Sequence, residues 1–220
     1  MPELYIITGS NGAGKSSVGF QYIPLKFRKG HSVFDGDKLF VLKQKELWDN
    51  GLKMPKEAKK IALAFVQGKF EQLLDEALKE RKSFAYEGHF TNEAAWDVPK
   101  RLKDAGYTIT IIFLGLKDTK LSVSRVLDRV KYGGHFVDRK TVENNFFGNL
   151  EKLNLHFAIA DQLTIVDASE ADHVILANYK NGTVTSALPF EELPYWFKNN
   201  LPSLADKIRN KESVNPSYKR

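Results

Sequence analysis

The chain has 220 residues, of which 42% are hydrophobic, and a net charge of +6; that length suits one α/β domain with a substantial core and excludes a disordered chain. The absence of cysteine excludes disulfides, thiolate catalysis and zinc–thiolate sites. No apolar run approaches the roughly 18 residues of a membrane span, so a cytoplasmic protein without membrane association is expected, and the positive balance suits a small anionic partner better than nucleic acid.

Short β-rich runs alternate with longer helical patterns, the mark of a parallel α/β sheet. A first strand over 4–8 leads into a glycine-rich loop and a helix that begins at Lys15 and stops before Pro24. A second strand over 32–34 ends at Asp35-Gly36-Asp37. After a lysine-rich helical region, Pro55 opens a long helix to about 81, with Ile61, Leu63, Ala64, Phe65, Phe70, Leu73, Leu74 and Leu78 at helical spacing. The third strand, 83–86, ends at Glu87-Gly88, and a helix over 91–105, kinked at Pro99, closes at Gly106. The unbroken β-branched and aromatic run 108–114 reads as a central strand buried on both faces. Helices over 118–131 and 138–155 are separated by Gly133-Gly134, and a fifth strand covers 163–166. Runs 173–179 and 183–188 flank Asn181-Gly182, a hairpin signal, and short helices broken at Pro194 and Pro202 fill 191–211. The expected architecture is a three-layer α/β sandwich with a mostly parallel sheet, helices on both faces, and a C-terminal β-hairpin plus helices.

The loop carries the chemistry. Gly9-Ser10-Asn11-Gly12-Ala13-Gly14-Lys15-Ser16 completes G-x-x-x-x-G-K-[ST] between a strand and a helix, which is the phosphate-binding arrangement of P-loop NTPases. The glycines let successive N–H groups aim at phosphate oxygens, Lys15 supplies a point charge to the β- and γ-phosphates, and the Ser16 hydroxyl is placed to ligate Mg²⁺. Residues Gly9, Ser10, Asn11, Gly12, Ala13, Gly14, Lys15, Ser16 and Ser17 are therefore the expected ATP site.

In parallel sheets, ligands gather outside the carboxyl ends of the strands. That rule adds Asp35 and Asp37 after the second strand and Glu87 after the third. Asp37 is the first candidate for the base that takes the proton of an acceptor hydroxyl, with Asp35 second; the alternative for Asp37 is the N-cap of a helix beginning at Lys38. Asp35 and Glu87 are expected to contact substrate, with His89, Thr91 and His135 as weaker candidates in the same role. Arg125, Arg129, the glycine pair and His135 describe a lid over about 118–140 that would bring Arg129 onto the phosphates. These features divide the chain into a P-loop kinase core over 1–188 and a C-terminal helical extension over 189–220.

In this order the loop 9–17, Phe34-Asp35-Gly36-Asp37, Glu87-Gly88, Lys103-Asp104-Ala105-Gly106-Tyr107, the lid 129–137, Asn149-Leu150, Ala160-Asp161-Gln162-Leu163 and Val166-Asp167 resemble the zeta-toxin family of phosphate-loop kinases. The resemblance implies an ATP- and Mg²⁺-dependent kinase of small molecules. Toxin members phosphorylate UDP-N-acetylglucosamine, so a nucleotide-sugar acceptor is favoured and an antitoxin partner is allowed for. It also implies Asp37 as base, Lys15 and Arg129 on the transferring group, Ser16 on Mg²⁺ and Glu87 on the sugar substrate. The chain departs from the pattern at Glu143-Asn144-Asn145, where relatives commonly place arginines, with His135 or Arg139 as candidate replacements, and at Asp167-Ala168-Ser169. Two other readings stand beside this one: a kinase of nucleosides, antibiotics or other metabolites, and a nucleotide-binding regulatory or degenerate relative with little transfer. No N-K-x-D segment of a guanine switch is present.

Overall fold

The five β-rich runs become five parallel strands, β1 (Glu3–Gly9), β2 (Phe34–Asp35), β3 (Phe84–Glu87), β4 (Thr108–Gly115) and β5 (Gln162–Asp167). The computed structural model, which describes residues 1–132, 134 and 136–214, adds β6 (Val174–Lys180) and β7 (Thr183–Ala187) as an antiparallel edge. The sheet order is β2-β3-β1-β4-β5-β6-β7. Every residue of β4 from Ile111 to Gly115 is buried, so layers cover both faces, as its unbroken apolar run predicts. The β6–β7 turn has Asn181 at φ 49° and Gly182 at φ 71°, the pair of left-handed residues that a tight hairpin turn needs.

The helices are α1 (Lys15–Val18), α2 (Leu25–Arg28), α3 (Gly36–Asp49), α4 (Pro55–Glu80), α5 (Asp97–Asp104), α6 (Thr119–Lys131), α7 (Arg139–His156), α8 (Tyr195–Asn200) and α9 (Pro202–Val214). The helix expected from Lys15 to Pro24 is far shorter: α1 tightens after Val18 into a 3₁₀ turn over Gly19–Tyr22. Pro24 has no N–H to continue a helical ladder, and Ile23 and Phe27 are buried only because the chain turns there into α2. The helix expected over 91–105 splits likewise. A 3₁₀ turn, Glu93–Trp96, is capped by Asn92, and α5 starts at Asp97. Pro99 is thus in the first turn, where its missing N–H has no helical partner to lose, and no kink is required. In α4 the buried residues are Ala58, Ala62, Leu74 and Ala77, while Ile61, Leu63 and Leu73 are exposed. That helix packs with α3, and its bulky residues do not all reach the core.

Pro194 and Pro202 act as helix starts: α8 follows the first, and α9 opens on the second. Trp196, Phe197, Leu201, Leu204, Ala205 and Ile208 from these helices join the same hydrophobic core as the parallel strands. Among the described residues, no helix is long and apolar enough to cross a membrane.

Candidate active site

The phosphate loop leaves β1 at Gly9, which is paired with Leu114 of β4. At φ +135°, a Cβ on Gly9 would stand 2.1 Å from the Leu114 carbonyl oxygen, so glycine is required where the loop lifts off the sheet. Lys15 opens α1 and curls back, its ammonium donating to the carbonyls of Gly9 and Ser10 at 3.1 Å each. Burial pushes its pKa from 10.5 down to about 8; Glu87, Asp37 and Asp35 oppose that shift and Arg129 reinforces it. The charges of the expected site therefore already act on one another without any ligand.

Ser16 donates its hydroxyl hydrogen to Glu87 Oε1 at 2.7 Å, which ties the loop to the end of β3. Burial raises the Glu87 pKa, Asp35 and Asp37 add to the rise, and Ser16 and Lys15 work against it. At the end of β2, the two aspartates separate in role. The helix starts at Gly36, two residues before the expected Lys38, so Asp35 is the N-cap and accepts the Lys38 N–H at 2.8 Å. Asp37 falls in the first turn of α3 with an exposed carboxylate, free of the capping role left open for it.

Behind the loop, His89, Asn11, Asn145 and Asn149, each named from the sequence on separate grounds, meet in a polar network that the sequence did not reveal. Asn149 is 1% exposed; its Oδ1 accepts from the Thr8 hydroxyl at 3.1 Å and from the Phe90 N–H at 2.6 Å. Its Nδ2 donates to the Asn145 carbonyl and lies 3.1 Å from His89 Nδ1. Asn145 in turn donates to Asn11 Oδ1 at 2.8 Å, and the other ring nitrogen of His89 stands 3.3 Å from Asn11 Nδ2. His89 thus props the phosphate loop, and burial with nearby Lys15 draws its pKa well below the usual 6.5. The readable signal was two asparagines four residues apart, on one face of α7. Thr91 packs against Gly148 of α7 and is not among the residues lining the cleft. Replacing Asn149 with Ala is expected to cost about 1–3 kcal/mol of stability and to weaken ATP binding, as read by thermal denaturation and nucleotide titration. Unchanged ATP affinity would show that Asn11 is held without it.

Arg125 and Arg129, both read from the sequence as part of a lid, also diverge. Arg125 donates to the carbonyls of Gly12 at 3.3 Å, Ala168 at 2.6 Å and Ser169 at 2.7 Å, so it clasps the loop after β5 to the phosphate loop. Arg129 lines the cleft with Gly134 and bears on the charge of Lys15. A Cβ on Gly134 would lie 2.3 Å from Arg129 Cγ, so this glycine is what lets the arginine stem pass. Arg139, a candidate replacement for a missing lid arginine, pairs instead with Glu143 at 2.8 Å and does not line the cleft. His135 and Gly133 lie outside the described residues.

The resulting cleft, about 520 Å³, is lined by Asn11, Gly12, Gly14, Lys15, Ser16 and Ser17 on one side and by Asp35, Asp37, Glu87, Arg125 and Arg129 around them. It also takes in Lys38, Val41 and Leu42 of α3, which the sequence reading did not single out.

The zeta toxin family model matches residues 1–180. No curated protein sequence matches the chain. Among solved structures, one of the PezAT chromosomal toxin–antitoxin system of Streptococcus pneumoniae superposes with a TM-score of 0.57 at 20% identity, covering 96% of this chain and 87% of that one. The AvrRxo1-ORF1:-ORF2 structure with ATP superposes with a TM-score of 0.64 at 16% identity, covering 96% of this chain and 76% of that one. At such identities these are likenesses of fold, that of a three-layer P-loop sandwich. The family match runs from β1 through α6 and α7 to the end of β6 and so takes in every residue that lines the cleft; the chain belongs to the zeta toxin family, whose members are phosphate-loop kinases of small molecules.

Proposed function

We propose that this chain transfers the γ-phosphoryl group of ATP to a hydroxyl of a small molecule, with a nucleotide sugar such as UDP-N-acetylglucosamine as the favoured acceptor. The observation that carries the reading is the meeting of Lys15, Ser16, Asp37, Glu87 and Arg129 in one cleft. Phosphoryl transfer is mostly positioning and charge stabilisation around an in-line displacement. In this reading the loop 9–17 holds the donor phosphates, and Lys15 and Arg129 stabilise the charge of the moving group. Asp37 takes the acceptor proton as the new O–P bond forms and the bond to the β-phosphate oxygen breaks. Asp35 and Glu87 orient the acceptor.

The Ser16 hydroxyl is a hard oxygen donor of the kind Mg²⁺ accepts and would hold the ion with the donor phosphates; the Glu87 carboxylate, which accepts from Ser16 at 2.7 Å, would reach it through water. When bound, Mg²⁺ neutralises charge on the donor phosphates. The residue range 1–188 forms the kinase core in this reading, 189–220 is an extension, and the cytoplasm is the compartment. The PezAT system pairs a toxin with an antitoxin, which supports a protein antitoxin as partner here.

A second reading, nucleotide binding with little transfer, draws on the engagement of Arg139 with Glu143, which leaves the lid without that arginine. Transfer from labelled ATP with Mg²⁺ to a panel of nucleotide sugars, nucleosides and antibiotics separates the two. Phosphorylation of a nucleotide sugar is the expected result. Tight ATP binding with no acceptor phosphorylated would favour the second reading.

A further inference from the structure

We propose that Trp196 is a positioning residue for the donor nucleotide. From the C-terminal extension it fixes the loop after β5, and through that loop the path of the phosphate loop at Gly12. The inference rests on the ATP-binding part of the reading above, and not on the transfer step or the acceptor. Trp196 lies in α8, beyond residue 180, where the family match ends.

The indole is buried and fills a place that the sheet leaves for it. Gly115 ends β4 without a side chain, and a Cβ there would stand 2.1 Å from the indole Cη2. The indole N–H donates to Asp167 Oδ2 at 3.2 Å, at the end of β5. The other oxygen of that carboxylate accepts the Ser169 N–H at 2.9 Å and the Ser169 hydroxyl. Ser169 Oγ in turn accepts the Lys117 N–H at 2.8 Å, just past β4. Residues 167–169 are thereby folded into a turn held from two sides.

That turn presents the carbonyls of Ala168 and Ser169 to the Arg125 guanidinium, which also donates to the Gly12 carbonyl. The contact with the phosphate loop is close: a Cβ on Gly12, at φ +74°, would stand 2.8 Å from Arg125 Cβ. One turn earlier on α6, the Ser122 hydroxyl donates to the Asn11 carbonyl at 2.6 Å. In a planar trans peptide a carbonyl and the next N–H point opposite ways. Holding the Asn11 carbonyl on α6 therefore turns the Gly12 N–H away from that helix, toward the cleft that Gly12 lines. Successive N–H groups aimed in this way are what binds phosphate. Removing the indole N–H takes a donor from Asp167 and loosens the turn on which Arg125 bears. The ring itself packs; only the N–H engages the carboxylate.

The test titrates a non-hydrolysable ATP analogue with Mg²⁺ calorimetrically into the full chain, Trp196→Phe, Asp167→Asn and the double variant. Ile208→Ala, a packing loss in the core-facing side of α9, is the control. Trp196→Phe is expected to raise Kd by about 3–30-fold, the scale of substitutions along a coupled network, and to raise the KM for ATP more than it lowers kcat. Asp167→Asn is expected to act in the same direction. The double variant should lose less than the sum, because both substitutions break one contact. Ile208→Ala is expected to lower the melting temperature and leave Kd unchanged. Coupling is reciprocal, so the nucleotide must also act on the indole. In a chain labelled with fluorotryptophan, the fluorine resonance that Trp196→Phe removes is expected to shift when the analogue binds.

A Kd indifferent to Trp196→Phe, or raised equally by Ile208→Ala, would overturn the proposal. Additive losses, or a resonance that does not move, would overturn it as well. Should Trp196→Phe fail to fold, Asp167→Asn decides alone, and an unchanged Kd there defeats the inference. The expected losses of affinity with no acceptor phosphorylated would keep it and sink the transfer reading. No analogue bound by the natural chain overturns both.

Discussion

Replacing Lys15 with Met is expected to slow phosphoryl transfer by about 10²–10³-fold, the usual consequence of removing one preorganised donor from a developing charge. The same substitution should raise the melting temperature of the free protein at neutral pH. Burial holds the Lys15 pKa at about 8, so the fold carries a charge it disfavours. Below pH 8 the lysine is protonated in both folded and unfolded chains, and the penalty is borne in full. Between about 8 and 10.5 the unfolded chain binds a proton that the folded one does not, so the stability of the ligand-free protein rises across that window and levels off above it. Donor phosphates reverse the preference, because they favour the ammonium. ATP binding above pH 8 should then take up a proton, and affinity should fall by up to about tenfold per pH unit. Calorimetry in buffers of different ionisation enthalpy reads the proton directly. The uptake should vanish in Lys15→Met; if it persisted, Lys15 would not be the titrating group.

What the chain disclosed in one dimension was whatever depends on backbone pattern. The phosphate loop is a local device, made of glycines that permit one path and a lysine next to a helix start, so seven or eight consecutive residues specify it. The strand ends were legible because apolar runs stop where carboxylates begin. Choices between neighbours were hidden. Asp35 and Asp37 differ by whether α3 starts at residue 36 or 38, and a helix start is decided by which side chain reaches an N–H three residues on. Arg125 and Arg129 sit one turn apart on α6, and only the path of the loop after β5 explains why the first is spent on the carbonyls of Ala168 and Ser169. The Asn149 network joins residues 59 to 141 positions apart, a separation that no periodicity reports. Some family-like segments also prove architectural. Lys103 reaches the Ile159 carbonyl and Asp161, and Asp161 accepts the Ile109 N–H, which locks α5 and the start of β5 onto β4.

Substituting Asn for Asp37 is expected to lower kcat by about 10²–10⁴-fold, the range of a positioned general base, while leaving ATP affinity nearly unchanged. The fold should tolerate it. The Asp37 carboxylate is exposed in the first turn of α3 and makes no cap hydrogen bond, so its structural worth is a helix-terminus charge of about 0.3–1 kcal/mol. Asp35 supplies the comparison, because it stands two residues away at the same strand end with a different duty. Asp35→Ala removes the cap and should cost about 0.5–2 kcal/mol of stability, whereas Asp35→Asn keeps a capping oxygen and should keep the fold. If Asp37 is the base, Asp37→Asn loses turnover without losing stability, and Asp35→Asn changes the KM of the acceptor more than kcat. Equal losses of kcat in both would mean that the pair acts through charge on Lys15 and Glu87 instead of through a proton. Full turnover in Asp37→Asn would move the base elsewhere in the cleft. Glu87 would then be the group to test, since burial already favours its protonated form and Ser16 already engages one of its oxygens.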